Sequence, residues 1–264
     1  MVLYKYLHKH GLRFLSSLKL KLTSPADVDD PFEMRPRVGS SEVTDEMMKR
    51  LLAGRDRMKV FFQRTGQPDL DEWIASCRKD PRDLHRWLSK KLPEGLKAYC
   101  EQAPEAVAEE YRMLCFSKSC DNILLWSHYG DRHHGIVVGF DRDGLEDTLG
   151  AISLEVECRE DRTIYGAEQF LFPTLEYARQ LLTRKSPSWS YQEEVRFVVE
   201  YQGNSFFDCP PHLIKSVLLG CKFPAKRITC VKKLMARRDI QAKLLCGIPD
   251  ENRFQISFGR ETAS

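Results

Sequence analysis

Residues 186–201, SPSWSYQEEVRFVVEY, place an amide, carboxylates and a guanidinium within a few positions of one another. Pro187 and the serines punctuate the entry, and a β-branched, aromatic run follows, so the stretch reads as a loop entering a strand. Strand side chains alternate between faces. Val195, Phe197 and Val199 therefore share one face, and Gln192, Glu194 and Arg196 the other. A carboxylate fixed on a regular element can stabilise positive charge that develops during a reaction. The same pattern also fits a solvated face on which Glu194 and Arg196 pair across two positions. Glu193 and Glu194 are neighbours on opposite faces, so they are not the paired carboxylates of a glycoside hydrolase.

Residues 126–135, WSHYGDRHHG, form the densest polar-aromatic cluster. Trp126 and Tyr129 can stack on a planar ring while His128 or His133 bonds a ribose or phosphate. Alternatively, the segment is an aromatic core anchor followed by a polar turn. His128 and His133 do not share a helix face and no Cys stands at ligand spacing, so no metal is expected. From Lys215 to Arg238 there are eight Lys and Arg residues and no acid, with Lys226, Lys233 and Arg237 on the outer face of an amphipathic helix. That is a solvated face or a contact for nucleic acid or another anionic partner. Nucleophile motifs are absent, as are GxGxxG and GxxxxGK[ST].

These groups need a scaffold, and the chain is long enough to supply one. It has 264 residues, 42% hydrophobic and 30% charged, with a net charge of +3. This is a single large domain or a domain with a subdomain. The mild basicity does not by itself argue for nucleic acid or a membrane. No apolar run approaches the ~18 residues of a span. The N-terminal residues have no apolar signal core, and nine scattered cysteines without a CxxC pair read as reduced thiols, so a cytoplasmic location is expected. Strands are expected at Val2–Tyr6, 18–23, 113–117, 135–140, 152–158, 213–219, 241–246 and 253–258, besides the one bearing Glu194. Asp121 is expected to cap a short helix at 122–129, and helices are expected at 174–182 and 225–238. The turn DDPFE, 29–33, offers a buried aromatic anchor in Phe32, and its acids are turn chemistry or line a cleft. Residues 40–112 read as a helical insertion: a helix from Thr44 through Val60, Phe61 and Phe62, then pieces at 69–77 (with Trp73 and Ile74), 81–92 and 104–111. Strands and helices mix without a βαβ rhythm, so the class is α+β, one domain spanning 1–264 with the insertion at 40–112.

LYKY (3–6), DDPFE, CFS (115–117), WSHYGDRHHG and W-x-Y-Q-x-E-x-R (189–196) together resemble a widespread bacterial family of unassigned function. Its pattern runs LYKY, FNDPFE, CFS, WSHY-x3-H-x-G and W-x-Y-E-x-E-x-R. The resemblance covers most of the chain outside about 40–112. Asp29 stands where that family usually has Asn, and Gln192 where it usually has Glu. More remotely the family resembles the ADP-ribosyltransferases. This implies a split β-sandwich that clamps NAD and an enzyme that transfers ADP-ribose to an unknown protein or nucleic-acid acceptor, as a toxin or defence factor. By that resemblance Tyr4, Lys5 or Tyr6 holds the first-strand position, where the usual His or Arg is lacking. Ser117 and Tyr129 hold the middle ones. Glu194 is the catalytic acid and Gln192 positions the acceptor. Trp126, His128 and His133 complete the dinucleotide site, and Arg196 holds its diphosphate or fixes Glu194. Two other readings stand beside this one. The chain is a nucleic-acid-binding or -processing protein using 215–238 with Asp30 and Glu33, or a non-catalytic module whose helical region docks a partner.

Overall fold

The computed structural model describes residues 1–53 and 80–259. The expected helical turns at Val60, Phe61 and Phe62 and the piece at 69–77, with Trp73 and Ile74, lie outside the described residues. The chain divides into two compact units. One comprises Met1–Asp29, Val107–Glu160 and Lys185–Ser264, the other Asp30–Ala106 and Asp161–Arg184.

The strands in chain order are β1 (Val2–Tyr6), β2 (Lys19–Lys21), β3 (Arg37–Val38), β4 (Tyr111–Ser117), β5 (Ile136–Asp141), β6 (Ser153–Glu155), β7 (Glu157–Cys158), β8 (Ile164–Tyr165), β9 (Arg184–Lys185), β10 (Glu194–Glu200), β11 (Phe206–Asp208), β12 (Ile214–Leu219), β13 (Lys243–Pro249) and β14 (Ile256–Gly259). The helices are α1 (Gly11–Ser17), α2 (Asp45–Ala53), α3 (Pro81–Glu110), α4 (Ile123–His128), α5 (Arg142–Leu149), α6 (Ala167–Leu171), α7 (Leu175–Thr183) and α8 (Ile228–Arg237). The class is α+β. The first unit is built on an eight-stranded sheet in the order β14-β13-β12-β5-β1-β4-β10-β6. Only β12 and β13 run parallel, joined through α8; the other neighbours are antiparallel. β1 and β4 register at a single pair, Tyr4 with Ser117. At this narrow seam the Lys5 ammonium reaches across and donates to the Cys115 carbonyl at 2.7 Å.

Alternation sorts the sheet into two faces. On one, Leu3, Phe116, Phe140, Val195, Phe197 and Val217 join Phe14 and Leu15 of α1 and Val231 and Met235 of α8 in the main core. Edge-on ring contacts run through it, Phe14–Phe140 at 5.9 Å, Phe116–Phe140 at 5.5 Å and Phe116–Phe197 at 5.4 Å, the geometry aromatic quadrupoles favour. On the other face Trp126, Val137, Leu218 and Ile256 make a smaller core against Tyr4 and Tyr6. Glu194 and Arg196 alternate with Val195 and Phe197 and so belong to this second face.

The second unit stands on α3, which buries Leu84, Leu88, Leu92 and Leu96 at four-residue spacing, one helical stripe. Tyr165 of β8 stacks on Tyr99 at 4.0 Å and tilts against Tyr177 at 5.0 Å. Several expectations change here. The pieces at 81–92 and 104–111 are parts of one helix that runs through Pro93 and Pro104. Phe32 is 60% exposed rather than an anchor, while Asp30 and Glu33 are buried. The Asp30 carboxylate instead accepts the Phe32 N–H at 2.8 Å, closing the turn. In the first unit the strand expected at 152–158 starts at Ser153, with Ile152 exposed. The short β9 and β11 carry too few residues for a periodic signal.

Candidate functional site

The site grows from three adjacent strands. Tyr4 of β1 registers with Ser117 of β4, and Ser117 registers with Glu194 of β10. Residues directly opposite on antiparallel strands project to the same side, so a phenol, a hydroxyl and a carboxylate stand in a row across the seam. Gly139 lies opposite Tyr4 on β5, where a Cβ would collide first with the Ser216 hydroxyl and Val2 and would sit 3.1 Å from the Tyr4 ring.

Glu194 is held tightly. Arg196 donates from Nε to Oε1 at 2.7 Å and from Nη2 to Oε2 at 3.1 Å. Lys185 donates to Oε2 at 2.8 Å. The Glu194 side chain is 9% exposed and that of Arg196 1%. Burial alone would raise the carboxyl pKa. The Arg196 charge and its hydrogen bonds, then the Lys185 charge and bond, outweigh burial and hold the group well below the ordinary glutamate range. Glu194 is therefore ionised throughout the neutral range. The neighbouring Cys115 thiol is pushed up to about 12 by burial and then by the Glu194 charge, so it stays neutral.

Lys185 is the hub that sequence reasoning missed. Its ammonium donates to the Gln192 amide oxygen at 2.9 Å as well as to Glu194, and it lies 5.3 Å from the Trp189 ring centre. Gln192 is not on the strand. It closes the 3-10 turn Pro187–Gln192, and Glu193 follows in the left-handed region at φ 43°. Simple alternation therefore fails at Gln192, and Lys185 brings its amide alongside Glu194 instead. The Gln192 amide N–H donates to the Tyr129 phenol oxygen at 3.2 Å, so that phenol keeps its own proton to offer. Burial, the first of several causes, raises the Tyr129 pKa and keeps it protonated.

Asn122 ties the two motifs together. Its carbonyl oxygen accepts from the Leu124 and Leu125 N–H groups at 2.9 and 3.1 Å, capping α4 where Asp121 was expected to. Its amide donates to the Tyr191 carbonyl at 3.0 Å. The Tyr191 hydroxyl in turn lies 3.0 Å from His128 Nδ1. The helix bearing His128 and the turn leading to Glu194 are thus held together.

Lys5 is on the main-core face, its ammonium 5.7 Å from the Phe116 ring centre. Tyr6 donates to the Ser119 carbonyl at 3.1 Å, and burial raises its pKa. Burial, then Cys120, also raises Tyr4, to about 12. Trp126 is fully buried, with Nε1 donating to the Cys120 carbonyl at 2.7 Å; its faces are covered by protein and offer no ligand a stacking surface. His133 stacks on Trp126 at 6.4 Å and meets Ser127 at 3.1 Å, outside the hydrogen bonds around Glu194. It sits in a turn where Asp131, Arg132 and His133 all have positive φ. Arg196 has its guanidinium committed to Glu194 and turned away from solvent, which suits fixing the carboxylate and not holding a diphosphate. Among the described residues, no group of three or more His, Cys, Asp or Glu is placed to hold a metal ion, and no helix is long and apolar enough to cross a membrane.

The family described as "Protein of unknown function (DUF2971)" matches residues 125–197. That segment runs from α4 into β10 and contains Tyr129, Lys185, Gln192, Glu194 and Arg196. The expected resemblance was wider: LYKY, DDPFE and CFS lie outside the matched residues. No curated protein and no solved structure matches the chain.

The ion pairing carries a testable pH dependence. A carboxyl depressed in the folded state stabilises the fold fully above its unfolded pKa, about 4.3, and that contribution is lost as pH falls through and below that value. Thermal unfolding from pH 7 to pH 3 should therefore show the wild type losing its advantage over Glu194→Gln below about pH 4.5. A difference that stays constant over that range would show that Glu194 is not the group concerned.

Proposed function

We propose that the chain is an ADP-ribosyltransferase-like enzyme that binds an NAD-like dinucleotide across the seam of β1 and β4 and uses Glu194 in breaking the nicotinamide–ribose bond. The observation that carries this reading is the row Tyr4, Ser117, Glu194 on three neighbouring strands. Cleavage of the bond between the nicotinamide nitrogen and C1′ sends the electron pair to nicotinamide, which leaves neutral, and builds positive charge on the ribose. A fixed, ionised carboxylate beneath that carbon stabilises the charge. An acceptor nucleophile then bonds to C1′ and loses its proton to solvent water. Arg196 keeps Glu194 oriented. Lys185 is the partner that gives way, because Oε2 is the oxygen it shares with a single Arg196 N–H. Gln192 and the proton-bearing Tyr129 flank the acceptor side.

A second reading rests on the saturation of the Glu194 carboxylate by Arg196 and Lys185: the triad is a structural tie and the site does no chemistry. Incubation with NAD separates the two. The enzymatic reading expects nicotinamide release, lowered by about 10²-fold in Glu194→Gln, the scale seen when one electrostatic stabiliser is removed. No release above the uncatalysed background, or full activity in Glu194→Gln, leaves the structural reading.

A further inference from the structure

The charge of this chain is segregated. Residues 1–26 and 210–238 together hold thirteen Lys and Arg and no Asp or Glu, while the rest of the chain holds 28 Lys and Arg against 38 acids. The fold brings one helix from each segment into one layer. α1, from the first, packs on α8, from the second, with Phe14 and Leu15 meeting Val231 and Met235 in the main core. With those apolar residues turned inward, the basic ones turn outward: Lys9, Arg13, Lys226, Arg227, Lys233, Arg237 and Arg238 are all exposed. By strand alternation this layer covers the sheet face opposite Glu194, so it is a surface separate from the candidate site.

From these observations we infer that the outer surface of α1 and α8 binds the phosphate backbone of a nucleic acid, without reading its sequence. Lys226 in the 3-10 turn Ala225–Arg227 and Lys233 and Arg237 of α8 spread along about 17 Å, at 2.0 Å per residue in the turn and 1.5 Å in the helix, enough to follow several phosphates at the 3.4 Å axial spacing of one strand. The surroundings favour this partner over two others. A membrane-surface helix carries large apolar residues that enter the lipid, and a protein interface is centred on an apolar, often aromatic patch. Among the described residues of α1 and α8 no large hydrophobic residue is exposed. Cations without an apolar anchor are what phosphate contacts require, and the absence of an exposed aromatic on these helices leaves no platform for base stacking.

The test is a titration of a fluorescent 20-base-pair DNA duplex and an RNA hairpin of similar length with the full chain. Binding of either is expected at 50 mM salt, with log K falling against log[salt] at a slope of about −3 or steeper, as three or more neutralised phosphates demand. The set Lys226→Glu, Lys233→Glu and Arg237→Glu should weaken it at least tenfold. Should the reversed-charge chain fail to fold, the milder Lys226→Gln, Lys233→Gln, Arg237→Gln set should still weaken binding severalfold. Glu194→Gln should leave it unchanged, which separates this surface from the enzymatic reading. The inference is overturned by absence of binding at 50 mM salt, by unaltered affinity in the variant sets, or by binding only to vesicles containing about 30% phosphatidylserine.

Discussion

Replacing Arg196 with methionine is expected to cost about 3–5 kcal/mol of folding stability, the loss typical when one member of a buried ion pair is removed. The guanidinium is 1% exposed and makes two hydrogen bonds to Glu194. Methionine fills much of the same volume and removes the charge, leaving the Glu194 carboxylate with Lys185 as its cation. Urea denaturation at pH 7 measures the loss. The combined change Arg196→Met, Lys185→Met and Glu194→Leu should recover most of it, because removing a whole buried charge cluster is often near neutral. A loss below about 1 kcal/mol for Arg196→Met would mean that the pair behaves like a surface ion pair. This result bears on function as well. If the triad is as costly to break as its burial implies, then any ligand that engages Glu194 must offset the loss of a Lys185 or Arg196 contact.

Trp126→Ala should cost a similar 3–5 kcal/mol, for a different reason. The indole is fully buried, with Tyr6 edge-on at 5.5 Å and Phe258 tilted against it at 5.9 Å. Truncation removes that apolar area and leaves a void that its neighbours only partly fill. It also strips the Cys120 carbonyl of the Nε1–H donor, a further penalty for a buried acceptor. Trp126→Phe, which keeps most of the packing and loses the donor, should cost about 1–3 kcal/mol. The urea midpoint of each variant reports the difference. Equal losses in the two would assign the cost to the hydrogen bond and not to packing.

Part of this architecture was legible in the residue pattern. The face carrying Glu194 and Arg196 follows from period-two alternation, and the structure pairs them across two positions, but on a buried face and not the solvated one that reading expected. The doubly buried β5 follows from its unbroken apolar run. What escaped the pattern depends on contacts distant in sequence or on backbone geometry. Lys185 sits in a two-residue strand with no periodicity, and its part emerges only when the turn of Gln192 folds over it. Alternation puts Gln192 on the strand because it assumes extended backbone, whereas Glu193 is left-handed. Pro93 and Pro104 read as helix breaks, since proline removes a backbone donor and crowds the preceding turn. The leucine stripe of α3 continues past Pro93 to Leu96, and the buried Cys100 and Ala103 extend it to Pro104. Asn122 and Asp121 are both good caps, and what distinguishes them is the second bond of Asn122 to the Tyr191 carbonyl.

The central position of β1 shapes how the chain is made. It lies between β4 and β5, whose residues follow it by more than a hundred positions. At roughly 5–20 residues per second, a ribosome takes on the order of ten seconds to deliver them. During that interval both hydrogen-bonding edges of the first strand are bare, an invitation to pair with a neighbouring nascent chain. Recombinant yield should therefore respond to holdase chaperones and to slower, cooler synthesis.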